Sequence, residues 1–352
     1  MKRDMARVVW YGRGPGPVLA RAALWVPSLL FRLGVAVRNA LYDARLLPIR
    51  DAGMPVISVG NLTVGGTGKS PVAAWLAGQL TARGARPAIV LRGYGDDEPE
   101  VHRRLNPGLL VIASPDRARG IARARDGGAT IVVLDDAFQH RRVARSADIV
   151  LVAADHGLDH ARPLPAGPYR ELPGALRRAS LVLVTRKTAT MERAVDVLAA
   201  ARAVGGIEGA VVSLAPGALR AVRGANEADS EAERPLSDLG GRRVLLITGI
   251  GEPGLLAAQL AAAGAEVELH AYPDHHAFSD AELMRAASAH ADLAVCTLKD
   301  AVKLEGRWPG PAPLWYVSQG LTVERGREAL DGLLEHALAG GAPNLKPPVR
   351  AG

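Results

Sequence analysis

The sequence predicts an α/β protein with a doubly wound, mostly parallel sheet, a second, smaller α/β lobe and an N-terminal amphipathic helix. Three observations support this fold class. Short apolar runs rich in β-branched residues alternate with helix-like segments, which is typical of a parallel sheet covered on both faces. A glycine-rich turn joins the first of these runs to a helix. An acid-rich, linker-like segment at 224–237 then separates a second set of runs.

The composition indicates a globular protein with room for two domains, because 48% of its 352 residues are hydrophobic and 22% are charged. Cys296 is the only cysteine, which excludes an intrachain disulfide and fits a reducing compartment. It stands in an apolar run, so a buried side chain is expected. The net charge is +7, with nine basic and three acidic side chains in residues 1–51. That segment is too apolar for a nucleic-acid-binding arm, so nucleic acid is not an expected partner.

Residues 18–47 combine a wide apolar face with a narrow polar stripe at helical spacing, formed by Arg21, Ser28, Arg32, Asn39 and Asp43. Arginines interrupt every window of about 20 residues, so a transmembrane span is not expected. A cleaved signal peptide is not expected either, because no short uninterrupted apolar core precedes a small-residue cleavage site. Two interpretations remain open: an amphipathic helix in a membrane interface, or a helix packed on the protein's own core.

Periodicity and composition predict strands along the rest of the chain, at 56–59, 88–91, 109–113, 130–134, 148–153, 180–185, 243–248, 266–270, 292–297 and 314–317. A helix is predicted at 71–82. Pro71 suits its first turn, where a missing N–H costs nothing.

Residues 60–70, Gly-Asn-Leu-Thr-Val-Gly-Gly-Thr-Gly-Lys-Ser, predict a phosphate-binding P-loop between the first strand and this helix. Glycines allow several backbone N–H groups to point inward, and the helix adds the positive end of its dipole. The strict motif has glycine where this chain has Thr63, so the strand and helix context carries the prediction. The candidate nucleotide-binding residues are Thr63, Val64, Gly65, Gly66, Thr67, Gly68, Lys69 and Ser70.

The strand at 130–134 ends in Asp135 and Asp136, which predicts carboxylates at the phosphate site that organise Mg²⁺ together with Ser70. Gln139 and His140 follow on the same rim. A second group of acids, residues 96–98, follows the strand at 88–91 and fits either a catalytic carboxylate at the sheet edge or a solvated turn.

The adjacent histidines His275 and His276 follow Asp274 and a predicted strand. Three interpretations are open for them: a metal site, an acid/base pair, or a hydrogen-bonded turn. Zinc is the least favoured ligand, because no cysteine and no third ligand at a fixed spacing lie nearby.

Taken together, these motifs resemble the tetraacyldisaccharide 4′-kinase family of Gram-negative bacteria over most of the chain. The resemblance rests on the loop at 59–71, Arg-Gly-Tyr at 92–94, Asp-Glu-Pro at 97–99, Asp-Asp-Ala-Phe-Gln-His at 135–140, Pro-Ala-Gly-Pro at 165–168 with Arg-Glu at 170–171, Pro-Asp-His-His at 273–276 and Leu-Lys-Asp-Ala-Val-Lys-Leu at 298–304. Thr63 is the family's own form of the loop. Ala137 departs from the family's usual glycine, and the segment between Tyr94 and Asp97 is shorter than in many members.

The resemblance implies transfer of the γ-phosphate of ATP to the 4′-hydroxyl of a tetraacylated glucosamine disaccharide 1-phosphate, giving lipid IVA, with Mg²⁺ required. It favours the membrane-interface interpretation of residues 18–47, at the cytoplasmic face of the inner membrane. No obligate protein partner is inferred. The expected regions are a membrane-interface helix at 1–50, a kinase core at 51–223, a second α/β lobe at 224–340 and a loose tail at 341–352.

The resemblance also implies roles for individual residues. Asp97 is the expected base, with Asp96 beside it, and His275 is its partner. Lys69 binds phosphate. Ser70 and Asp136, together with Asp135 and Glu171, are the expected magnesium ligands. Contacts to phosphate or to the acceptor are expected from Arg117, Gln139, His140 and Arg170.

Two other functions are compatible with a P-loop. The first is a regulatory switch NTPase, but such GTPases carry an Asn-Lys-x-Asp guanine reader, and Thr297-Leu298-Lys299-Asp300 has its lysine out of register. The second is a soluble kinase for a small metabolite, which leaves residues 18–47 without a purpose.

Overall fold

This computed structural model describes residues 2–93, 97–159, 161–224 and 233–340. They group into two compact units, the first within Met1–Gly93, His102–Val212 and Val323–Gly352, and the second within Tyr94–Val101 and Ser213–Thr322. The predicted tail at 341–352, Asp96 and most of the predicted linker lie outside the described residues.

The described residues form helices and strands in alternation. The helices are α1 Lys2–Tyr11, α2 Pro15–Ala23, α3 Trp25–Asp43, α4 Lys69–Ala82, α5 Asp97–Leu105, α6 Arg117–Asp126, α7 Met191–Gly205, α8 Pro253–Ala262, α9 Asp280–Ala287, α10 Leu298–Leu304 and α11 Arg327–Leu338. The strands are β1 Val56–Asn61, β2 Pro87–Leu91, β3 Leu110–Ala113, β4 Ile131–Asp135, β5 Ala147–Ala153, β6 Leu181–Arg186, β7 Gly209–Ala221, β8 Glu233–Arg234, β9 Arg243–Thr248, β10 Glu266–Ala271, β11 Leu293–Thr297 and β12 Leu314–Arg325.

The sheet of the first unit has the strand order β6-β5-β1-β4-β2-β3, and its strands are parallel. Strand β1 lies between β4 and β5, in a register that pairs Val59 with Asp135. Strands β1, β2, β4 and β5 are buried along their whole length, because helices α4, α6 and α7 pack on this sheet. The predicted doubly wound parallel fold is confirmed, and a reversal of strand order at β1 marks its carboxyl end as the expected ligand edge.

In the second unit, strands β10, β9, β11 and β12 lie side by side in that order and run parallel. Apolar side chains on the two faces of these strands form two clusters, one with Cys296 and the other with Trp315, which heads the fully buried side chains of the described residues by volume. Burial raises the pKa of the Cys296 thiol, as expected for an inert core cysteine.

Strand β7 is absent from the sequence prediction, and β12 extends well beyond the predicted 314–317. Strand β7 contains Pro216 and Gly217 in its interior, and both residue types are normally signals against a strand. Its pairing therefore depends on neighbouring strands that a local pattern does not reveal.

Helix α3 contacts the rest of the first unit through its polar stripe. Ser28 Oγ accepts a hydrogen bond from the Ala166 N–H at 2.9 Å, and Asn39 Nδ2 donates to Glu171 Oε2 at 2.6 Å. Arg141 binds the Asp43 carboxylate at 2.6 Å. The polar stripe therefore faces the protein, and the apolar face does not.

The apolar face of the N-terminal helices is exposed to solvent. Leu30 is 64% exposed and Leu33 58% exposed. The other exposed large apolar side chains of this segment are Met5, Val8, Tyr11, Val18, Leu19, Trp25, Val26, Leu29, Val37 and Leu46. We call these twelve side chains the N-terminal apolar surface. Among the described helices, none is long and apolar enough by itself to cross a bilayer, although α2 and α3, bent by 49°, pass that test as a pair.

Candidate active site

The predicted P-loop links β1 to α4, and helix α4 begins at Lys69, two residues earlier than predicted. Gly68 precedes it with φ = 85°, a left-handed conformation that favours glycine. Gly60 is required for a different reason, because a Cβ there would lie 2.7 Å from the backbone nitrogen of Phe138. The free N–H groups at the start of α4 suit an anion such as a phosphate.

Side chains at the end of β6 hold the backbone carbonyls of the P-loop. Lys187 Nζ donates to the Gly66 oxygen at 2.6 Å, and the Thr185 hydroxyl donates to the Thr67 oxygen at 3.0 Å. Asp155 in turn accepts the N–H groups of residues 187–189. With these carbonyls bound, the orientation of the loop peptides is fixed.

Asp135 ends β4 and is only 5% exposed. Its Oδ2 lies 3.0 Å from Nε2 of the buried His102, whereas its Oδ1 is buried and has no hydrogen-bond partner among the described residues. Burial raises the pKa of Asp135, but His102, Ser70 and Lys69 lower it by more, so the carboxylate is ionised. An ionised carboxylate with an open oxygen beside a hydroxyl fits a divalent cation.

Asp136 has φ = 49°, and Arg170 Nη1 binds both of its carboxylate oxygens, at 2.9 and 3.1 Å. Lys69 Nζ lies 3.8 Å from the same carboxylate. The residue with positive φ in this turn is thus Asp136 and not Ala137. Alanine in place of the family's glycine at position 137 therefore causes no backbone strain from a positive φ. Gln139 donates to the Asn61 carbonyl at 2.8 Å and so joins this turn to β1.

The structure places the remaining predicted residues of the first unit as follows. Both oxygens of Glu171 are bonded by Arg178, and Asn39 binds Oε2, so Glu171 anchors α3. Arg117 is buried and donates to the carbonyls of Ser114 and Asp135. Burial, and then the charges of Arg117 and nearby arginines, lower the pKa of His140 to about 4. His140 is therefore neutral near pH 7.

In the second unit, Asp97 is the first residue of α5 and is 7% exposed. Its Oδ2 lies 3.1 Å from Lys303 Nζ and 3.4 Å from His275 Nδ1. Burial raises the pKa of Asp97, but the contacts with His275 and Lys303 and the charge of Lys299 together shift it well below its usual range. The structure thus brings the expected base and its expected histidine partner together, with Asp97 on a helix and His275 in the turn after β10.

The two adjacent histidines have different surroundings. His275, with φ = 64°, faces Asp97 on one side, and its Nε2 lies 2.9 Å from Lys299 Nζ on the other. His276 stacks on Tyr272 and binds Glu282, which caps α9. The described residues contain no group of three or more His, Cys, Asp or Glu side chains that could hold a metal ion.

Asp300 organises the segment that carries both lysines. Its carboxylate is fully buried and accepts hydrogen bonds from the hydroxyls of Thr248 and Thr297 and from the Gly249 N–H. The Gly249 carbonyl accepts a hydrogen bond from the backbone N–H of His275 at 3.1 Å. Asp300 is therefore committed to the fold and does not act as the aspartate of a guanine reader.

Comparison with known proteins shows the family of this chain. The family model for tetraacyldisaccharide-1-P 4′-kinase matches residues 20–339. The tetraacyldisaccharide 4′-kinase of Anaeromyxobacter sp. (strain Fw109-5) is 39% identical over 95% of this chain and 96% of its own length. The chain belongs to the tetraacyldisaccharide 4′-kinase family. A relative from Syntrophus aciditrophicus (strain SB) is 35% identical, over 86% of this chain and 90% of its own length.

A solved structure from the same family has the same fold. The "apo" form of Aquifex aeolicus LpxK in complex with ATP matches with a TM-score of 0.68 and 26% identity, over 91% of this chain and 99% of that chain. The family resemblance inferred from the sequence is therefore confirmed, as is the α/β fold class.

Several residues around the site were not predicted from the sequence: Thr185, Lys187, His102, Lys299 and Lys303. Polar residues at the end of β6 and directly after it, and two lysines four apart in the helix after β11, were signals of the kind that identified Asp135. His102 had no such signal, because it lies in the middle of a helix.

Proposed function

We propose that this chain transfers the γ-phosphoryl group of ATP to the 4′-hydroxyl of tetraacyldisaccharide 1-phosphate, with Asp97 as the base. The reaction is that of its family, its cofactors are ATP and Mg²⁺, and its product, lipid IVA, belongs to lipid A biosynthesis. The observation that carries the assignment of the base is the pairing of buried, ionised Asp97 with His275 and Lys303.

Lys69 and the P-loop N–H groups bind the phosphates of ATP, and Lys187 and Thr185 keep the loop in shape for this. Asp135 and Ser70 would hold Mg²⁺, because Asp135 Oδ1 is buried and open. An ion held by these residues would supply positive charge against the charge that develops on the transferring phosphoryl group. The carboxylate of Asp136 would contribute to the same magnesium site, and its ion pair with Arg170 orients it. Glu171 is better assigned to anchoring α3 than to the metal.

A sugar hydroxyl has a pKa far above 7, so its attack on phosphorus needs a base that removes the proton. The carboxylate of Asp97 accepts this proton. His275 and Lys303 hold the carboxylate ionised and fixed in direction beforehand, which removes the cost of orienting it during the reaction. Arg170 and Gln139 are the better candidates for contacting phosphate or the acceptor, whereas Arg117 and the neutral His140 support the turn.

The N-terminal apolar surface is the proposed membrane contact, at the cytoplasmic face of the inner membrane and without a spanning segment. Its support is the orientation of α3, in which three side chains of the polar stripe contact Ala166, Glu171 and Arg141. Leu29, Leu30 and Leu33 of the same helix are exposed. A helix packed on the protein's own core would bury the opposite face. A cavity of about 530 Å³ lined by residues of α2, α3 and the segment 161–166 lies beside this surface and suits part of a lipid.

The kinase assignment is tested by incubating the full chain with γ-labelled ATP, Mg²⁺ and the tetraacylated disaccharide 1-phosphate in detergent micelles. We expect the label on the lipid, and its loss with Lys69→Met. Hydrolysis of ATP without label on the lipid would favour the switch NTPase. Label on water-soluble sugars but not on the lipid would favour the metabolite kinase.

The membrane contact is tested by sedimentation with vesicles of phosphatidylethanolamine and phosphatidylglycerol. Replacing both Leu30 and Leu33 with serine should weaken binding at least about 10-fold, because two exposed leucines lose their transfer energy into the interface. The matched control is Met284→Ser, an exposed apolar residue of the second unit that is 61% exposed. Equal loss with both variants would contradict the assignment.

A further inference from the structure

The second unit contains two lysines one helical turn apart on α10, and each contacts one member of the Asp97–His275 pair. Lys303 Nζ lies 3.1 Å from Asp97 Oδ2, whereas Lys299 Nζ lies 2.9 Å from His275 Nε2. Lys299 Nζ also lies 3.3 Å from Asp274 Oδ1. The first contact is an ordinary ion pair. The second is unusual, because a lysine and a histidine nitrogen are within hydrogen-bond distance.

An ammonium group has three donors and no acceptor. A hydrogen bond from Lys299 to His275 Nε2 is therefore possible only if Nε2 carries no proton. The single proton of the neutral imidazole then lies on Nδ1, which is the nitrogen that faces Asp97 at 3.4 Å. The two contacts agree with each other, since a carboxylate is an acceptor and needs a donor opposite it.

The other charged groups around His275 do not reverse this assignment. Glu98 Oε1 and Asp274 Oδ1 lie 3.7 and 3.9 Å from Nε2, beyond hydrogen-bond distance. A proton on Nε2 would also point at the Lys299 ammonium. The contacts of the described residues thus place four ionisable groups around the Asp97–His275 pair: Glu98, Asp274, Lys299 and Lys303.

We propose that Lys299 is a positioning residue that fixes His275 in the tautomer with the proton on Nδ1, so that the imidazole donates to Asp97. His275 then acts as a donor that orients the carboxylate and does not itself accept the substrate proton. The catalytic importance of this arrangement rests on the proposed role of Asp97, but the tautomer does not.

His276 provides an internal reference for the opposite case. Its Nε2 lies 3.0 Å from Glu282 Oε2, an acceptor, so Nε2 carries a proton. Neighbouring histidines in one loop are thus inferred to differ in the protonation of the same ring nitrogen. The difference follows from their partners alone.

The test is nitrogen-15 NMR of the full chain labelled at histidine, at a pH where His275 is neutral. Nine histidines are present, so His275→Gln and His276→Gln identify the two sets of signals. We expect a protonated Nδ1 and a bare Nε2 for His275. A protonated Nε2 on His275 in the native chain would overturn the proposal without any variant.

Lys299→Met should move the His275 proton toward Nε2 and lower kcat about 10-fold, the effect of one lost hydrogen bond to a charged group, with KM for ATP unchanged. Lys299→Arg should restore both the proton on His275 Nδ1 and the native kcat. Unchanged His276 signals report that the loop has kept its fold. A His275 tautomer unchanged in Lys299→Met would overturn the proposal. Full activity of Asp97→Asn would instead overturn the proposed base and leave the tautomer standing.

Discussion

Asp135 in the first unit and Asp97 in the second are both nearly buried carboxylates, but their partners differ. Asp135 has His102 at one oxygen and keeps the other oxygen open. Asp97 has a lysine and a histidine nitrogen at the same oxygen, with a second lysine behind. The open oxygen suits a metal cation, whereas the lysines around Asp97 hold it in the ionised form, which is the form that can accept a proton.

The largest effect that this comparison predicts is at the first site. Asp136→Asn removes the charge that pairs with Arg170 and faces Lys69, so kcat should fall on the order of 10²- to 10³-fold. The Mg²⁺ concentration for half-maximal activity should rise as well. Steady-state kinetics over a magnesium titration checks both. The matched control is Asp126→Asn, a carboxylate at the exposed end of α6, and a similar loss there would refute the assignment.

A smaller effect is predicted for Lys303 at the second site. Lys303→Met removes one of the two contacts to Asp97 Oδ2, so kcat at pH 8 should fall about 10-fold, because the carboxylate loses an ion pair that holds it in position. Because Lys303 lowers the pKa of Asp97, its removal raises that pKa. The ratio of variant to native activity should therefore decline further as the pH is lowered.

Arg307→Met is the control for this variant. It removes a positive charge four residues farther along the chain, where Arg307 binds Asp280 and the Phe278 carbonyl. Its activity ratio should stay constant with pH. A constant ratio for Lys303→Met as well would mean that Lys303 does not tune Asp97.

The smallest predicted effect concerns stability near the first site. Burial lowers the pKa of His140 from 6.5 to about 4, so the unfolded chain binds a proton that the folded chain does not in this pH range. The contribution of neutral His140 to the free energy of unfolding is fully present above the pKa of the unfolded chain. It is lost as the pH falls toward 4. Because His140 is only partly buried, the loss is about 1 kcal/mol after allowance for solvent screening.

Urea unfolding at pH 7 and pH 4.5, for the native chain and His140→Asn, measures this difference. The free energy of unfolding of the variant should depend less on pH. His270, which pairs with Glu268 on β10, supplies the control in His270→Asn. An equal pH dependence of native chain and His140→Asn would contradict the assigned cause.

Much of the first site could be predicted from the sequence, because a P-loop and a pair of acids at a strand end are local patterns. Parallel neighbouring strands bring such ends together, as the pairing of Val59 with Asp135 demonstrates. Of the residues that contact or surround Asp97, His275 was expected from the family resemblance, whereas Lys299 and Lys303 were not predicted. Lys299 and Lys303 are about 200 residues away in the chain, and only the fold of the second unit brings them to α5.

The orientation of α3 could not be predicted from the sequence either. Its periodicity reveals a polar stripe and an apolar face, but it does not tell which of them faces the protein. The polar partners of the stripe, Ala166, Glu171 and Arg141, lie more than 90 residues away, so their contacts decide the question.

The most direct test of the central claim is phosphate transfer from labelled ATP to the tetraacylated disaccharide 1-phosphate by the native chain and by Asp97→Asn. The substitution keeps the size of the side chain and removes its ability to accept a proton. We predict a loss of kcat of at least about 100-fold, the lower range for a general base, with KM for ATP unchanged. Equal rates would leave a kinase whose base is another group and would contradict the role assigned to Asp97.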